Sequence, residues 1–334
     1  DKDDCADLGL IKVDLLGLGM MAALEEAIPM IRIHEGVEID LAHLPPGDPK
    51  TYGLIRRAGT AGVFQIESRA QMASLPRNRP VNFYDLVVQV AIIRPGPIAG
   101  NMTNPYLERR QGREAVTYAH PCLKPILERT LGVPLFQEQL LRIAMEAAGF
   151  SGGEAEELRR AMGFKRSQER MVVIEKRLRS GMTERGITGE VQEQIVKSIT
   201  SFALYGFPES HSASFALLVY ASAYLKAHHP AAFYACLLNA WPMGFYHPAT
   251  LVKDGQRHGV SFRSVDVNRS GWRCRWEDAA VRIGLRYVHG LKQAAAETIE
   301  SERARSAFTD PADLAHRCSL APEQLERLAH VGAL

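Results

Sequence analysis

The sequence has no paired cysteines. Its five, Cys5, Cys122, Cys236, Cys274 and Cys318, stand far apart with no CxxC spacing. That argues against a disulfide-stapled secreted fold and against a cysteine-based zinc site, and it makes a reducing cytoplasm the expected compartment. No apolar run reaches the ~18 residues that a membrane span needs. There is no internal repeat and no low-complexity tract, and no secretory signal peptide is in view within these residues. The first residue is Asp rather than Met and the last are "HVGAL", so the expectation is a piece of something longer. Net charge is nearly absent as well, at +2, and says nothing about partners. What is present is 334 residues, 46% hydrophobic and 23% charged, enough for a buried core and two or three domains.

The distribution of charge says more than its sum. Residues 1–48 carry eleven acidic and three basic side chains, whereas residues 159–185 carry nine basic and three acidic ones. Such asymmetry fits one part facing metal ions and another facing phosphates, or simply two solvated faces.

Patterning divides the chain further. Leu10 to Leu16 reads as a short β-like run, and after Gly17 and Gly19 a helical pattern covers Met20 to Ile33. "HLPPGDPK" (43–50) is a turn-rich boundary. From Thr51 to about Leu238 the chain reads as helices broken by Gly/Pro loops, and Pro242 with Gly244 marks their exit. Within that stretch "SGGEAEELRRAM" is a capping-box start with Ser151 as cap and Glu154 reaching back. Beyond Gly259, "GVSFRSVDVN" and "AAVRIGLRYV" read as short strands before helices resume. The fold class is mainly α with short β segments.

Several residues stand out chemically. Asp14 lies in the apolar run "LIKVDLLGL", where a carboxylate is costly unless it is paired or holds a cation. Lys12 falls on the same strand face, so the two read either as a metal-binding aspartate beside a phosphate-binding lysine or as an edge-strand ion pair. Arg159, Arg160, Lys165 and Arg166 in "LRRAMGFKR" fit a triphosphate or a nucleic-acid backbone, or equally a solvated helix end. Arg94 precedes a rigid Pro-Gly-Pro turn that either presents it at a fixed angle or only stops a helix. Arg109 and Arg110 read as a solvated face.

Near the end, Val288-His289-Gly290-Leu291 before an Ala-rich helix is helix-hairpin-helix-like. In such a hairpin the backbone N–H groups at the start of the next helix can grip a DNA phosphate. Lys292 stands where a second hairpin glycine is expected, so the match is incomplete. The mid-chain run "SFALYGFPESHSAS" (201–214) shows no clean helical face. Gly206 and Pro208 interrupt the pattern there, so Tyr205 and His211 are expected to project from a turn.

Taken in order, these segments resemble the bacterial replicative (C-family) DNA polymerase catalytic subunit, the DNA polymerase III alpha subunit family. The resemblance rests on "IKVDLLGLGM", "AGVFQIES", "IIRPGPIAG", the run from His120 to Arg166, "FALYGFPESHSASFALLVYASAYLKAHHPAAFYACLLN" and "RHGVSF". "PESHSASFA", "AMGFKR" and "NAWPMGFYHPATLV" are more similar to the error-prone, damage-tolerant paralogue. It implies the last strand of a nucleotidyltransferase-like palm over 1–19, fingers over 20–265 and a truncated helix-hairpin-helix region over 266–334.

The resemblance also implies residue roles. Asp14 would be a catalytic, metal-holding aspartate, with its two partner aspartates in a PDxD-like motif that does not occur in this sequence. Lys12, Arg159, Arg160, Lys165, Tyr205 and His211 would meet the incoming nucleotide, and Arg94, His289, Gly290 and Lys292 the DNA. Glu209 departs from the replicase pattern, which often has a lysine there. The implied reaction joins a primer 3′-hydroxyl to a deoxynucleotide with Mg²⁺, on template-primer DNA and deoxynucleoside triphosphates, in error-prone or damage-induced synthesis. A sliding clamp and damage-response accessory proteins would be engaged through regions outside this sequence. The competing reading is a non-catalytic helix-hairpin-helix DNA-binding module.

Overall fold

The computed structural model describes residues 2–11, 13, 15–93, 99–162, 168–202 and 207–334, with only the backbone described at 2, 3, 6, 99–104, 162, 168–170, 201 and 202. It is mainly helical with one small sheet. The chain forms two compact units: Asp1–Leu44 with Ala61–Phe64 and Ala221–Leu334, and Pro45–Thr60 with Gln65–Tyr220. The first division falls inside the turn-rich "HLPPGDPK" and the last inside the helix Glu209–His228.

The unit holding both chain ends is built on two helices, Leu18–Glu35 and Pro230–Asn239. Met20, Ala23, Leu24, Ala27 and Ile31 recur at helical spacing and are buried. Every residue from Ala231 to Asn239 is buried, which is why that helix is apolar all round. Buried polar groups in this unit are bonded. Asn239 donates to Glu26 (2.9 Å) and to the Cys274 carbonyl (3.0 Å), and its own Oδ1 accepts from the Cys274 N–H (2.7 Å). The Lys226 ammonium, with no exposed side-chain surface, donates to Asp254 and to the Ala61 carbonyl, each at 2.7 Å.

The sheet lies in the same unit. Strand β1 (Ser261–Arg263) runs parallel to β3 (Ala280–Arg282), and β2 (Arg275–Glu277) pairs antiparallel on the other side of β3. β2 was not expected from the sequence, although "RCRWE" alternates polar and apolar side chains over five residues. After the sheet come the helices Gln293–Arg305, Pro311–Cys318 and Pro322–His330 around Leu285, Ile299, Leu314 and Leu328.

The run 10–16 departs from its β-like pattern. Its described residues form no strand, and Leu10, Ile11 and Val13 are 59%, 90% and 68% exposed. A strand is held by its ladder, and among the described residues nothing pairs with this one.

The other unit has helices and no strand among its described residues. The helices Gln137–Ala148, Gly152–Met162, Gln168–Glu184 and Gly189–Phe202 enclose Leu140, Ile143, Leu158, Leu178, Met182 and Ile199. Beside it, Asn78, Gln71, Ser74 and Gln89 form a buried amide and hydroxyl network. Arg109 and Arg110 are not a solvated face. Arg110 reaches Asp85 (2.6 Å) and the Asn78 carbonyl (3.0 Å), while Arg109 reaches Glu114 and the Leu131 carbonyl (both 2.8 Å). The Pro105-containing helix turns both guanidiniums back onto its neighbours, so they tether it.

Candidate nucleotide and DNA interfaces

The capping box forms as its residues dictate. The Glu154 N–H donates to Ser151 Oγ (3.3 Å), and the Ser151 N–H donates to Glu154 Oε2 (2.8 Å). Those bonds and the Arg177 guanidinium (2.8 Å) hold the Glu154 carboxyl down at about 2. The helix that follows buries Ala155, Leu158 and Ala161, so 3.6-residue periodicity turns Arg159 and Arg160 outward.

Both arginines converge on one carboxylate. Arg159 forks Glu156 with bonds of 2.8 and 2.7 Å, and Arg160 Nε adds a third at 3.3 Å. Hydrogen bonding from Arg159 above all brings the Glu156 carboxyl to about 2. Glu156 was missed in the sequence, although its (i, i+3) and (i, i+4) spacing to the arginines was the available signal. Two further arginines of the stretch are paired similarly: Arg177 with Glu154, and Arg179 with Glu175 and Glu193.

His211 does not project from a turn. It sits in the first turn of the helix Glu209–His228, half-buried, with Phe207 5.1 Å away and Phe215 4.0 Å away between ring centres. Pro208 is placed just before a helix, where its missing N–H costs nothing, so it starts the helix instead of breaking it. The helix start is pinned to its neighbours. Gln137 N–H donates to the Phe207 carbonyl (3.1 Å), Glu209 N–H to Glu138 (2.9 Å), and Tyr84 O–H to the Glu209 carboxylate (2.9 Å). Arg129 covers the Tyr84 ring at 3.6 Å, and burial pushes the Tyr84 phenol up. Glu209 is therefore used at a helix N-terminus, where its charge also suits the dipole.

Lys12, Asp14, Arg94, Lys165 and Tyr205 lie outside the described residues. Among the described residues no group of three or more His, Cys, Asp or Glu side chains is arranged to hold a metal ion.

At the other interface, a 3-10 turn over Leu285–Tyr287 leads into the hairpin. Val288 and Leu291 are buried, while His289, Gly290 and Lys292 face solvent. Gly290 has φ +81°, and a Cβ there would lie 2.9 Å from Arg327 Nε. The positive φ calls for glycine, whereas the Arg327 contact is with the end of a flexible side chain that can shift. Lys292 stands at the N-cap of the helix Gln293–Arg305 and makes no side-chain hydrogen bond there, so the first N–H groups of that helix have no side-chain cap.

Residues 20–186, half of the chain, match the bacterial DNA polymerase III alpha subunit finger domain. The chain belongs to that family. Residues 259–334 match a helix-hairpin-helix motif, in agreement with the hairpin geometry. Across its whole length the chain is 53% identical to an error-prone DNA polymerase of Anaeromyxobacter sp. (strain K), 54% to one of Nocardia farcinica and 51% to one of Corynebacterium glutamicum. It spans 31%, 29% and 32% of those relatives, about a third of their length. The polymerase III finger match contains Arg94, Arg159, Arg160 and Lys165, and the hairpin match contains His289, Gly290 and Lys292. Lys12, Asp14, Tyr205 and His211 fall outside both. No helix among the described residues is long and apolar enough to cross a membrane.

Proposed function

We propose that the chain forms the nucleotide-binding fingers and the beginning of the duplex-binding region of an error-prone, DNA-directed DNA polymerase in the cytoplasm. The observation that carries this reading is the match to error-prone DNA polymerases from end to end of the chain, at 53% identity in one case. In this reading residues 1–19 end the palm, 20–265 are the fingers and 266–334 begin the helix-hairpin-helix region. Template-primer DNA and deoxynucleoside triphosphates are the substrates. Arg159 and Arg160, exposed on a capped helix, neutralise the triphosphate once it displaces Glu156. Lys165, Lys12, Tyr205 and His211 complete the nucleotide pocket, while Arg94 and the hairpin at His289, Gly290 and Lys292 meet DNA.

Mg²⁺ would stabilise charge on the transferring phosphoryl group. The described residues do not by themselves fit a two-metal centre, since they bring no three donors together. In this reading Asp14 gives one carboxylate and the full-length protein supplies the rest. What the described side chains support is binding: they hold phosphate charge and orient the nucleotide. A sliding clamp and damage-response accessory proteins are partners of the full-length protein in the same reading.

The test is steady-state nucleotide insertion by the full-length protein with Arg159→Ala or Arg160→Ala. A raised nucleotide KM with little change in DNA affinity is expected. Unchanged kinetics with weaker DNA binding would move both arginines to the DNA backbone. The helix-hairpin-helix match favours a second reading, a DNA-binding module without chemistry. Duplex binding with no nucleotide binding would establish it.

A further inference from the structure

A solvent-facing cavity of about 350 Å³ lies beside the hairpin, lined by Val288, His289, Glu323, Glu326, Arg327, His330 and Val331. Arg327 is reached from the helix Pro322–His330, nearly forty residues along the chain from the hairpin that it covers. Its Nη1 donates to His289 Nδ1 at 2.7 Å. A guanidinium has only donors, so Nδ1 accepts, and the neutral ring carries its proton on Nε2. His289 thus fixes Arg327 without neutralising it. Among the described residues Arg327 has no carboxylate within ion-pair distance, although Glu323 and Glu326 lie on its own helix. Its stem meanwhile packs over Gly290.

We propose that Arg327 and His289 form a clamp for one backbone phosphate of duplex DNA. The clamp rests on the reading of the hairpin as a DNA-binding element, and adds to it a cation outside the hairpin. Two donors that line the cavity then meet one anion: the guanidinium of Arg327 and the Nε2–H of His289. An arginine fork matches two phosphate oxygens at once, which a lone hairpin amide does not. The contact carries no base information and positions the duplex.

The experiment is duplex binding by the full-length protein, followed by fluorescence anisotropy over a range of salt. Arg327→Gln is expected to weaken binding by roughly three- to tenfold at low salt and to lower the slope of log K against log salt by about 0.9. Arg327→Lys, which keeps the charge, should recover most of the slope but not the full affinity. Thermal melting of each variant shows that the fold is retained. If Arg327→Gln leaves affinity and slope unchanged while Lys292→Gln lowers both, the clamp is wrong and the hairpin reading stands. If neither variant has an effect, the hairpin reading fails with it. Inorganic triphosphate supplies the other source of phosphate. Competition by it that depends on Arg327, with duplex binding unaltered by Arg327→Gln, would reassign the cavity to a free polyphosphate.

Discussion

Two arginine-bearing regions of this chain solve the same problem in opposite ways. In the stretch 159–185, Arg159, Arg160, Arg177 and Arg179 each meet a glutamate on their own or an adjacent helix. Around the hairpin, Arg327 meets a neutral histidine instead. Among the described residues the stretch with the greater formal charge therefore presents less unpaired charge than its composition suggests, and the mixed one leaves a cation available. Formal charge counts ions; the field that a ligand meets depends on what each ion touches.

If both regions bind and neither reacts, chemistry must depend on a carboxylate that belongs to neither. Asp14→Asn in the full-length protein is expected to nearly abolish Mg²⁺-dependent primer extension while leaving duplex affinity close to normal. The 334-residue chain on its own should not extend a primer. Vigorous extension by the Asp14→Asn variant would remove Asp14 from the site, and vigorous extension by the chain alone would show that its regions do more than bind.

The paired region can be probed by removing the pairing. Glu156→Gln frees Arg159 and Arg160 from their shared acceptor, so the nucleotide KM should fall several-fold, opposite in sign to Arg159→Ala. An equal rise in KM for both variants would mean that Glu156 positions the arginines for the ligand.

His211 tests a third arrangement, a ring held by packing. His211→Ala should lower stability by about 1 kcal/mol, since it removes contacts with Phe207 and Phe215. His211→Phe should keep the melting temperature and, if the imidazole meets the nucleotide, cut single-nucleotide insertion about tenfold. Normal insertion by the phenylalanine variant would make this histidine structural.

The effect expected at the helix start is no larger. Ser151→Ala should cost about 1 kcal/mol, a usual value for a lost N-cap. Glu154 is depressed in the folded state, to about 2 from an ordinary 4.5, so what it contributes is complete above the unfolded value. It is lost as pH falls toward 2. The difference in melting temperature between wild type and Glu154→Gln should accordingly shrink between pH 5 and pH 2, and a constant difference would separate the cap from its charge.

Local patterns were legible where local forces decide. The helical pattern from Met20 to Ile33 located the first long helix, Ser151 and Glu154 located a cap, and Gly290 located a tight turn, which has positive φ. Long-range pairing was not legible. Nothing in "YLERRQG" says that Arg110 will find Asp85, twenty-five residues earlier. Nor does "LERLAH" say that Arg327 will reach His289. The strand-like run 10–16 shows the converse: its alternation is real, but a ladder needs a second strand. Of the candidate site, the sequence supplied residue types and the helix that carries Arg159 and Arg160. It did not supply Glu156, whose partners are fixed only when the helix forms.

Lys226 has a practical consequence. Its amine is sealed from solvent and donates to Asp254 and to the Ala61 carbonyl in the unit that holds both chain ends. An amine-directed label cannot reach it until that part of the fold opens. Its labelling rate, measured beside that of exposed lysines such as Lys292, is therefore a clock for local opening. When closing is fast, the ratio of the two rates reads the population of the open form directly.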